Sequence, residues 1–197
     1  MKKWKLYACL TLCTLLFTGC ADANLNLKAE ELEKNTLSIN RSGEVCSGIV
    51  ESFDKSYYDK AELKQYLKDA TDSYNSSMGK DLVSVDSFLV EDKTAKVVFK
   101  YKSMEDYKAL NEVEADYFTV EEAIKQKVFP GKLKQVKDGE DVSKKTVETN
   151  SNYHVLVLNE EYDVRVSGKI YYYVNCTVYN NKSVHTSAEK TSIIVYK

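Results

Sequence analysis

The stretch that decides the fold reads LVSVDSFLVEDKTAKVVFKY and covers residues 82–101. On each side of its centre apolar residues alternate with other residues, which is the pattern of a strand with one buried face. In the second half Ala95, Val97 and Phe99 share a face, and the residues between the halves, EDKT, are typical of a tight turn. The stretch therefore predicts a β-hairpin.

A second hairpin and a helix are predicted upstream. Residues 37–52 alternate around a turn at 41–43. A helix follows, because Asp59 and Glu62 have the spacing of a capping box and Gly79 suits a C-terminal cap. We expect one stripe of this helix to face the core. The stripe consists of Leu63, Tyr66, Leu67, Ala70 and Tyr74.

Short helices and a run of strands are predicted downstream. Ser103 and Thr119 each precede a short helical pattern, and residues 132–150 are expected to form a loop with a short strand. From Tyr153 onward the chain is rich in β-branched and aromatic residues, with short breaks that favour antiparallel neighbours. The predicted fold is α+β, mainly an antiparallel β-sheet with one longer and one or two short helices packed on it.

The first twenty residues have the order of an export signal. Basic residues at 2–5 precede a short apolar run at 6–17, which is followed by Thr18, Gly19 and Cys20. The run is about a dozen residues long, whereas a helix needs about 20 to cross a bilayer. A retained transmembrane helix is therefore not expected, and a plain secretory signal followed by an incidental thiol is the alternative to the motif described next.

Residues 17–20, FTGC, resemble the bacterial lipobox, although Phe17 stands where the lipobox usually has Leu. The resemblance implies that residues 1–19 are a lipoprotein signal peptide and that Cys20 receives a diacylglycerol thioether and fatty acyl chains such as palmitate. Two acyl chains are enough for stable anchoring. Residues 20–36 are then the lipidated cysteine and a tether, and residues 37–197 a single α+β domain.

The mature chain as a whole also resembles a known group. The lipobox, the tether, the stretch VESFDKSYYDKAELKQYL at 50–67 and a β-rich end finishing in SIIVYK are similar to small, uncharacterised lipoproteins of Gram-positive anaerobes. The resemblance implies a bacterial domain anchored to the cell membrane on its extracytoplasmic side. It supplies no activity and no catalytic residues.

The charge of the chain argues against nucleic-acid binding. The 28 basic and 30 acidic residues give a net charge of −2, and loss of the three lysines before Cys20 brings it to about −5. Nucleic acids need a basic patch, and no basic cluster with interleaved aromatic residues is present. Only Arg41 and Arg165 could form the two-pronged clamps that bind phosphate or carboxylate. No nucleic-acid partner is predicted.

The two histidines, His154 and His185, are the candidates for catalysis or metal binding. A zinc site needs three or four ligands, usually two of them at short spacing, and no HxH or HExxH pattern occurs. The strand around His154 has two largely apolar faces, which is typical of a histidine at the edge of a core. Phosphate-binding glycine loops and the G-x-S-x-G motif are lacking from the sequence. Neither a metal nor a cofactor is predicted.

Cys46 and Cys176 are the cysteines that remain once Cys20 is lipidated. An extracytoplasmic location permits a disulfide between them, and two buried free thiols are the alternative. A further hypothesis makes Cys176 a nucleophile with His185 as its base. The position of Cys176 in the middle of a predicted strand disfavours that hypothesis, because such a residue packs in a core.

The run Tyr171-Tyr172-Tyr173 is the most suggestive feature after the signal. In one continuous strand Tyr172 faces one way, and Tyr171, Tyr173 and Tyr179 face the other. These three tyrosines are a candidate binding patch for a protein or glycan if they are exposed. If a helix covers them, they are ordinary packed rings with wet hydroxyls.

Three functions remain in order of preference. The leading hypothesis is a membrane-anchored cell-envelope lipoprotein whose domain is a non-catalytic binding or structural module. The alternative is a small envelope enzyme that uses His154 or His185. The third is a solute-capture protein for a transporter, which the length of the chain disfavours because such proteins usually need two lobes around a cleft.

If Cys20 carries the lipid, the substitution Cys20→Ser moves the protein from the membrane pellet to the soluble fraction, because the acyl chains supply the anchoring energy. Cys13→Ser, within the apolar run of the signal, leaves the protein in the pellet. Immunoblots of separated fractions measure the distribution, and mass spectrometry of the mature N-terminus detects the diacylglyceryl group. A membrane-bound Cys20→Ser protein, or an unmodified Cys20, contradicts the prediction.

Overall fold

The structure is a computed structural model that describes residues 26–197. Across this range the chain is α+β, as predicted, but its strands form two sheets. The strands are β1 (Thr36–Ile39), β2 (Val45–Ser52), β3 (Val83–Glu91), β4 (Thr94–Tyr101), β5 (Ala115–Thr119), β6 (Lys132–Gln135), β7 (Asp141–Ser143), β8 (His154–Leu158), β9 (Asp163–Val166), β10 (Ile170–Val174), β11 (Thr177–Asn180), β12 (Ser183–His185) and β13 (Ser192–Tyr196). The helices are α1 (Lys60–Met78), α2 (Met104–Asn111), α3 (Val120–Lys125) and α4 (Lys144–Glu148), and a short 3-10 helix spans Ala29–Glu31.

The strand order corrects one expectation about the C-terminal half. The first sheet has the order β11-β12-β9-β1-β2-β4-β3, and the second has the order β5-β8-β13-β10-β6-β7. All pairs are antiparallel except β1 with β9, which is parallel. From β8 onward only β11 and β12 are neighbours both in sequence and in a sheet. The prediction that short breaks join antiparallel neighbours was wrong, because most of these breaks carry the chain from one sheet to the other.

Both predicted hairpins are confirmed. Strand β1 pairs with β2, and β3 pairs with β4 through a two-residue turn. Asp92 and Lys93 form that turn with φ values of 48° and 60°. Two successive positive φ values match the twist of the flanking strands, which is why such turns close hairpins tightly.

The main core lies between the two sheets. Leu37 and Val164 of the first sheet pack in one cluster with Leu156 and Ile194 of the second, and all four side chains are fully buried. Face-to-face burial of this kind places the inner side chains of two sheets in a common layer. The hydroxyl of Tyr196 crosses the layer and donates to the Asn40 carbonyl at 3.1 Å.

Residues 27–32 cover the outer face of the first sheet and correct the predicted tether. Leu27, Ala29 and Leu32 are buried against the sheet, on Cys46 and Val98. The contact also requires a glycine in β2, because a Cβ at position 48 would lie 2.6 Å from a methyl carbon of Leu32. The N-terminal part of the predicted tether, residues 20–25, lies outside the described range. Residues 27–32 pack on the folded domain, which therefore includes chain upstream of position 37.

Two short helices cover the outer face of the second sheet. Val120 and Ala123 of α3 and Val147 of α4 pack on Tyr153 and Val155. Helix α3 begins with the capping box that the sequence predicts between Thr119 and Glu122. Helix α4 was not predicted, because only one of its five residues is buried and the segment shows no helical stripe. The count of short helices is therefore three rather than one or two.

Helix α1 runs beside the edge strand β3. Asp59 caps it by accepting hydrogen bonds from two backbone amides, and Gly79 ends it in the left-handed conformation, as predicted. Near its end the side chain of Asn75 accepts from the amides of Leu82 and Val83 and donates to the Val83 carbonyl. This clamp holds the helix alongside the strand. Only one residue of α1, Thr71, is fully buried.

Leu32→Ala is expected to lower the free energy of unfolding by about 2–4 kcal/mol, because it removes buried methyl groups above a glycine that cannot fill the space. Glu33→Ala, at an exposed neighbouring position, is the matched control and should change stability by less than about 0.5 kcal/mol. Urea unfolding followed by circular dichroism measures both. Equal stability of the two variants would show that residues 27–32 do not belong to the fold.

Candidate functional site

The side chain of His154 has a structural role, because it connects strand β8 to a neighbouring turn. Its ring stacks on Tyr117 and shares a 2.7 Å hydrogen bond with the Tyr117 hydroxyl, which also donates to the Arg41 carbonyl. Burial, together with the nearby Arg41 guanidinium, lowers the pKa of His154. A half-buried ring that is held in this way links the turn between β1 and β2 to strand β8, and within residues 26–197 no carboxylate forms a hydrogen bond with it.

His185 is held between two carboxylates. Its Nδ1 lies 2.8 Å from Asp163 and its Nε2 lies 3.1 Å from Glu161. A neutral imidazole carries one N–H, so both hydrogen bonds form together only when both nitrogens are protonated. The hydroxyl of Tyr179 donates to the same Asp163 carboxylate at 3.1 Å. Both ring nitrogens of His185 are therefore engaged by carboxylates of the protein itself.

The carboxylates around His185 also fail to form a metal site. They sit at opposite ends of the ring, so one ion bound through either nitrogen would meet only one of them. Among residues 26–197 no group of three or more His, Cys, Asp or Glu side chains is placed to hold a metal ion.

The two predicted cysteines are separate free thiols. Cys46 is buried on the outer face of the first sheet, whereas Cys176 lies at the edge of the core between the sheets. The candidate disulfide is therefore not formed in this structure. The Cys176 thiol donates to the Val174 carbonyl at 3.2 Å, and burial raises its pKa to about 11. A thiol that stays protonated at neutral pH is a poor nucleophile.

The candidate tyrosine patch is divided by a β-bulge. The register of β10 against β13 shifts between Ile170 and Tyr172, so these two residues face opposite sides of the sheet. Tyr171 packs against Tyr153 at 5.2 Å between ring centroids on the outer side. The chain then leaves the second sheet, so Tyr179 lies in β11 of the first sheet. The predicted single strand is two strands, and alternation across it does not apply.

Within residues 26–197, the largest group of exposed aromatic rings lies elsewhere, around the start of α1. We call it the aromatic groove. It is a depression of about 390 Å³ between the loop after β2 and the first turns of α1. Its aromatic residues are Phe53, Tyr57, Tyr58 and Tyr66, and its other lining residues are Glu51, Ser52, Asp59, Glu62, Leu63 and Ala95.

The backbone fixes the position of these rings. The Phe53 amide donates to the Lys93 carbonyl at 2.7 Å, and the Tyr58 amide donates to the Lys55 carbonyl at 3.1 Å, which closes a turn before the helix. The Tyr58 ring then lies 5.0 Å from the ring centroids of both Phe53 and Tyr57. Aromatic pairs at this distance are favourable and orient one another.

The rings of the groove are open to solvent. Tyr57 is 74% exposed, Tyr66 is 69% exposed and Tyr58 is 43% exposed. Tyr66 was expected to face the core with the stripe of α1, but the helix lies at the margin of the domain and turns this side outward. The sequence signal for this groove is the cluster of three tyrosines within ten residues at the start of the helix.

A larger depression of about 560 Å³ lies on the other side of α1, against β3. Its charged residues have both signs and are partly paired with one another, as in the Lys68–Asp72 ion pair. It lacks an exposed aromatic group. The aromatic groove is therefore the candidate functional site.

Comparisons with models of known protein families, with curated proteins and with solved structures found no match to this chain. No helix within residues 26–197 is both long enough and apolar enough to span a membrane.

The native chain from Ala21 onward should react slowly with iodoacetamide at pH 8, because both thiols are sheltered and burial raises the pKa of each. In 8 M urea without reductant, two alkyl groups should be added within minutes. Intact-mass spectrometry counts them. Rapid labelling of Cys176 in the native protein would restore the nucleophile hypothesis, and the absence of labelling in urea would indicate a disulfide.

Proposed function

We propose that this protein is a lipoprotein anchored through Cys20 to the outer face of a bacterial cytoplasmic membrane, and that its domain is a non-catalytic binding module. The observation that carries the binding role is the aromatic groove, where three exposed tyrosines line one depression. Exposed apolar surface of this kind is costly in water and marks sites of contact with a partner. The partner is a protein or glycan of the cell envelope.

The composition of the groove suits reversible contact. Tyrosine presents a large rigid surface with a polar tip, so it binds with a small loss of side-chain entropy and remains soluble when unbound. Tyrosine is also one of the residues that contribute most to binding at interfaces. The rings stand on a capped helix and on a loop pinned to a sheet, so little ordering is needed when the partner arrives.

The chemistry around the histidines gives less support to the alternative of a small envelope enzyme. His154 stacks on a tyrosine, His185 has both nitrogens bonded to carboxylates, and the Cys176 thiol is turned to a backbone carbonyl. Catalysis by a nucleophile and base needs the two groups within hydrogen-bond reach of each other. The geometry at these three residues does not provide such a pair.

The double variant Tyr57→Ser/Tyr66→Ser should bind washed envelopes of the bacterium that encodes the protein at least tenfold more weakly than the wild-type chain, because it removes two anchor residues. The test uses the chain from Ala21 onward, because this chain contains every hydrophobic cluster found within residues 26–197. Sedimentation of the fluorescently labelled chain with the envelopes measures binding. Both residues are exposed, so thermal unfolding should be unchanged.

Tyr179→Ser is the matched control, because Tyr179 is 52% exposed and lies on the far edge of the first sheet. It should bind as the wild-type chain does. Unaltered binding by the double variant, or a loss confined to Tyr179→Ser, would contradict the assignment of the groove.

A further inference from the structure

We infer that the aromatic groove receives a basic segment of a partner protein, whose lysine or arginine side chains lie between the tyrosine rings and the groove's carboxylates. This inference rests on the proposed binding function and names the chemistry of its ligand. It is carried by the charges that line the groove, by their lack of internal partners and by the arrangement of the rings.

All the charged residues that line the groove are acidic. They are Glu51 at the end of β2, Asp59 at the helix cap and Glu62 in the first turn. The neighbouring lysines are directed elsewhere: the Lys60 ammonium lies 6.0 Å from the centroid of the Phe88 ring, and the Lys55 ammonium pairs with Asp54 at 3.4 Å. The groove therefore presents negative charge, which complements a cation and repels an anionic polymer.

Two of these carboxylates are available to a ligand. The Asp59 carboxylate is used within the protein, since it accepts from the amides of Ala61 and Glu62 at 2.7 and 2.9 Å. Among residues 26–197, no hydrogen bond or ion pair involves the side chain of Glu51 or Glu62. A carboxylate without an internal partner can pair with an incoming cation without first breaking a bond.

The rings supply the second part of a cation site. The face of an aromatic ring attracts an ammonium or guanidinium group, and the attraction is stronger when water is excluded. Here four rings line one depression of about 390 Å³, which is large enough for more than one side chain. A segment with several basic residues would use both the rings and the two free carboxylates, whereas one small cation would leave most of the aromatic surface exposed.

The test uses fluorescence anisotropy with three labelled twelve-residue probes, in which four lysines, four glutamates or four serines are spaced by Gly-Ser. The lysine probe should bind the wild-type chain from Ala21 onward at least tenfold more tightly than the serine probe in 20 mM salt, and the glutamate probe should not bind. Binding of the lysine probe should weaken at least fivefold in 300 mM salt, because the carboxylates are exposed and screened.

Glu51→Gln/Glu62→Gln should bind the lysine probe about tenfold more weakly, and so should Tyr57→Ser/Tyr66→Ser. Glu105→Gln/Glu140→Gln removes the same charge from exposed positions elsewhere and is the control, for which wild-type affinity is expected. Equal affinity of the groove and control charge variants, or equal binding of the lysine and serine probes, would overturn the inference.

The envelope-binding assay distinguishes failure of this inference from failure of the proposed binding function. If the tyrosine variant loses envelope binding while Glu51→Gln/Glu62→Gln retains it, the groove is a binding site whose ligand is not basic. If soluble glycan strands from the envelope then compete with binding, the ligand is a glycan. If neither variant loses envelope binding, the groove is not the binding site and both proposals fall.

Discussion

A strand that is buried on both faces must be packed against other parts of the chain on each side. The whole domain is arranged around this constraint. All four residues of β1 are buried, and β1 lies in the interior of the first sheet between β2 and β9. The second sheet covers its inner face, while residues 27–32 cover the outer face of the neighbouring strands. The second sheet must also be covered on both faces, and α3 and α4 cover its outer face. Each sheet is therefore stabilised from two directions by parts of the chain that are distant in sequence.

The candidate site arises where this covering is incomplete. Strand β3 lies at the edge of the first sheet, and α1 packs on it. One helix covers less surface than a sheet, so only part of its stripe reaches the core: Leu67 and Tyr74 pack inward, while Tyr66 stays in solvent. A helix that packed more deeply would have buried this tyrosine and removed the groove.

The local elements could be predicted from the sequence because their signals are local. The alternation at 82–101, the cap at Asp59 and the capping box at Thr119 all specify structure within a few residues, and all three are formed. Pairings across the chain have no such signal. The parallel contact of β1 with β9 and the division of 169–181 between two sheets depend on which surfaces remain uncovered after the rest has packed. The site was missed for the same reason, since exposure of Tyr66 is a property of the assembled layers.

The position of β13 has a consequence for when the fold can form. This strand holds residues 192–196, the last strand in sequence order among the described residues, yet it lies between β8 and β10 inside the second sheet. Neither half of that sheet can pair fully until residues 192–196 have been synthesised. Contacts as long in sequence as that between Tyr196 and Asn40 also close slowly. The second sheet of this domain is therefore completed last, when β13 enters between β8 and β10.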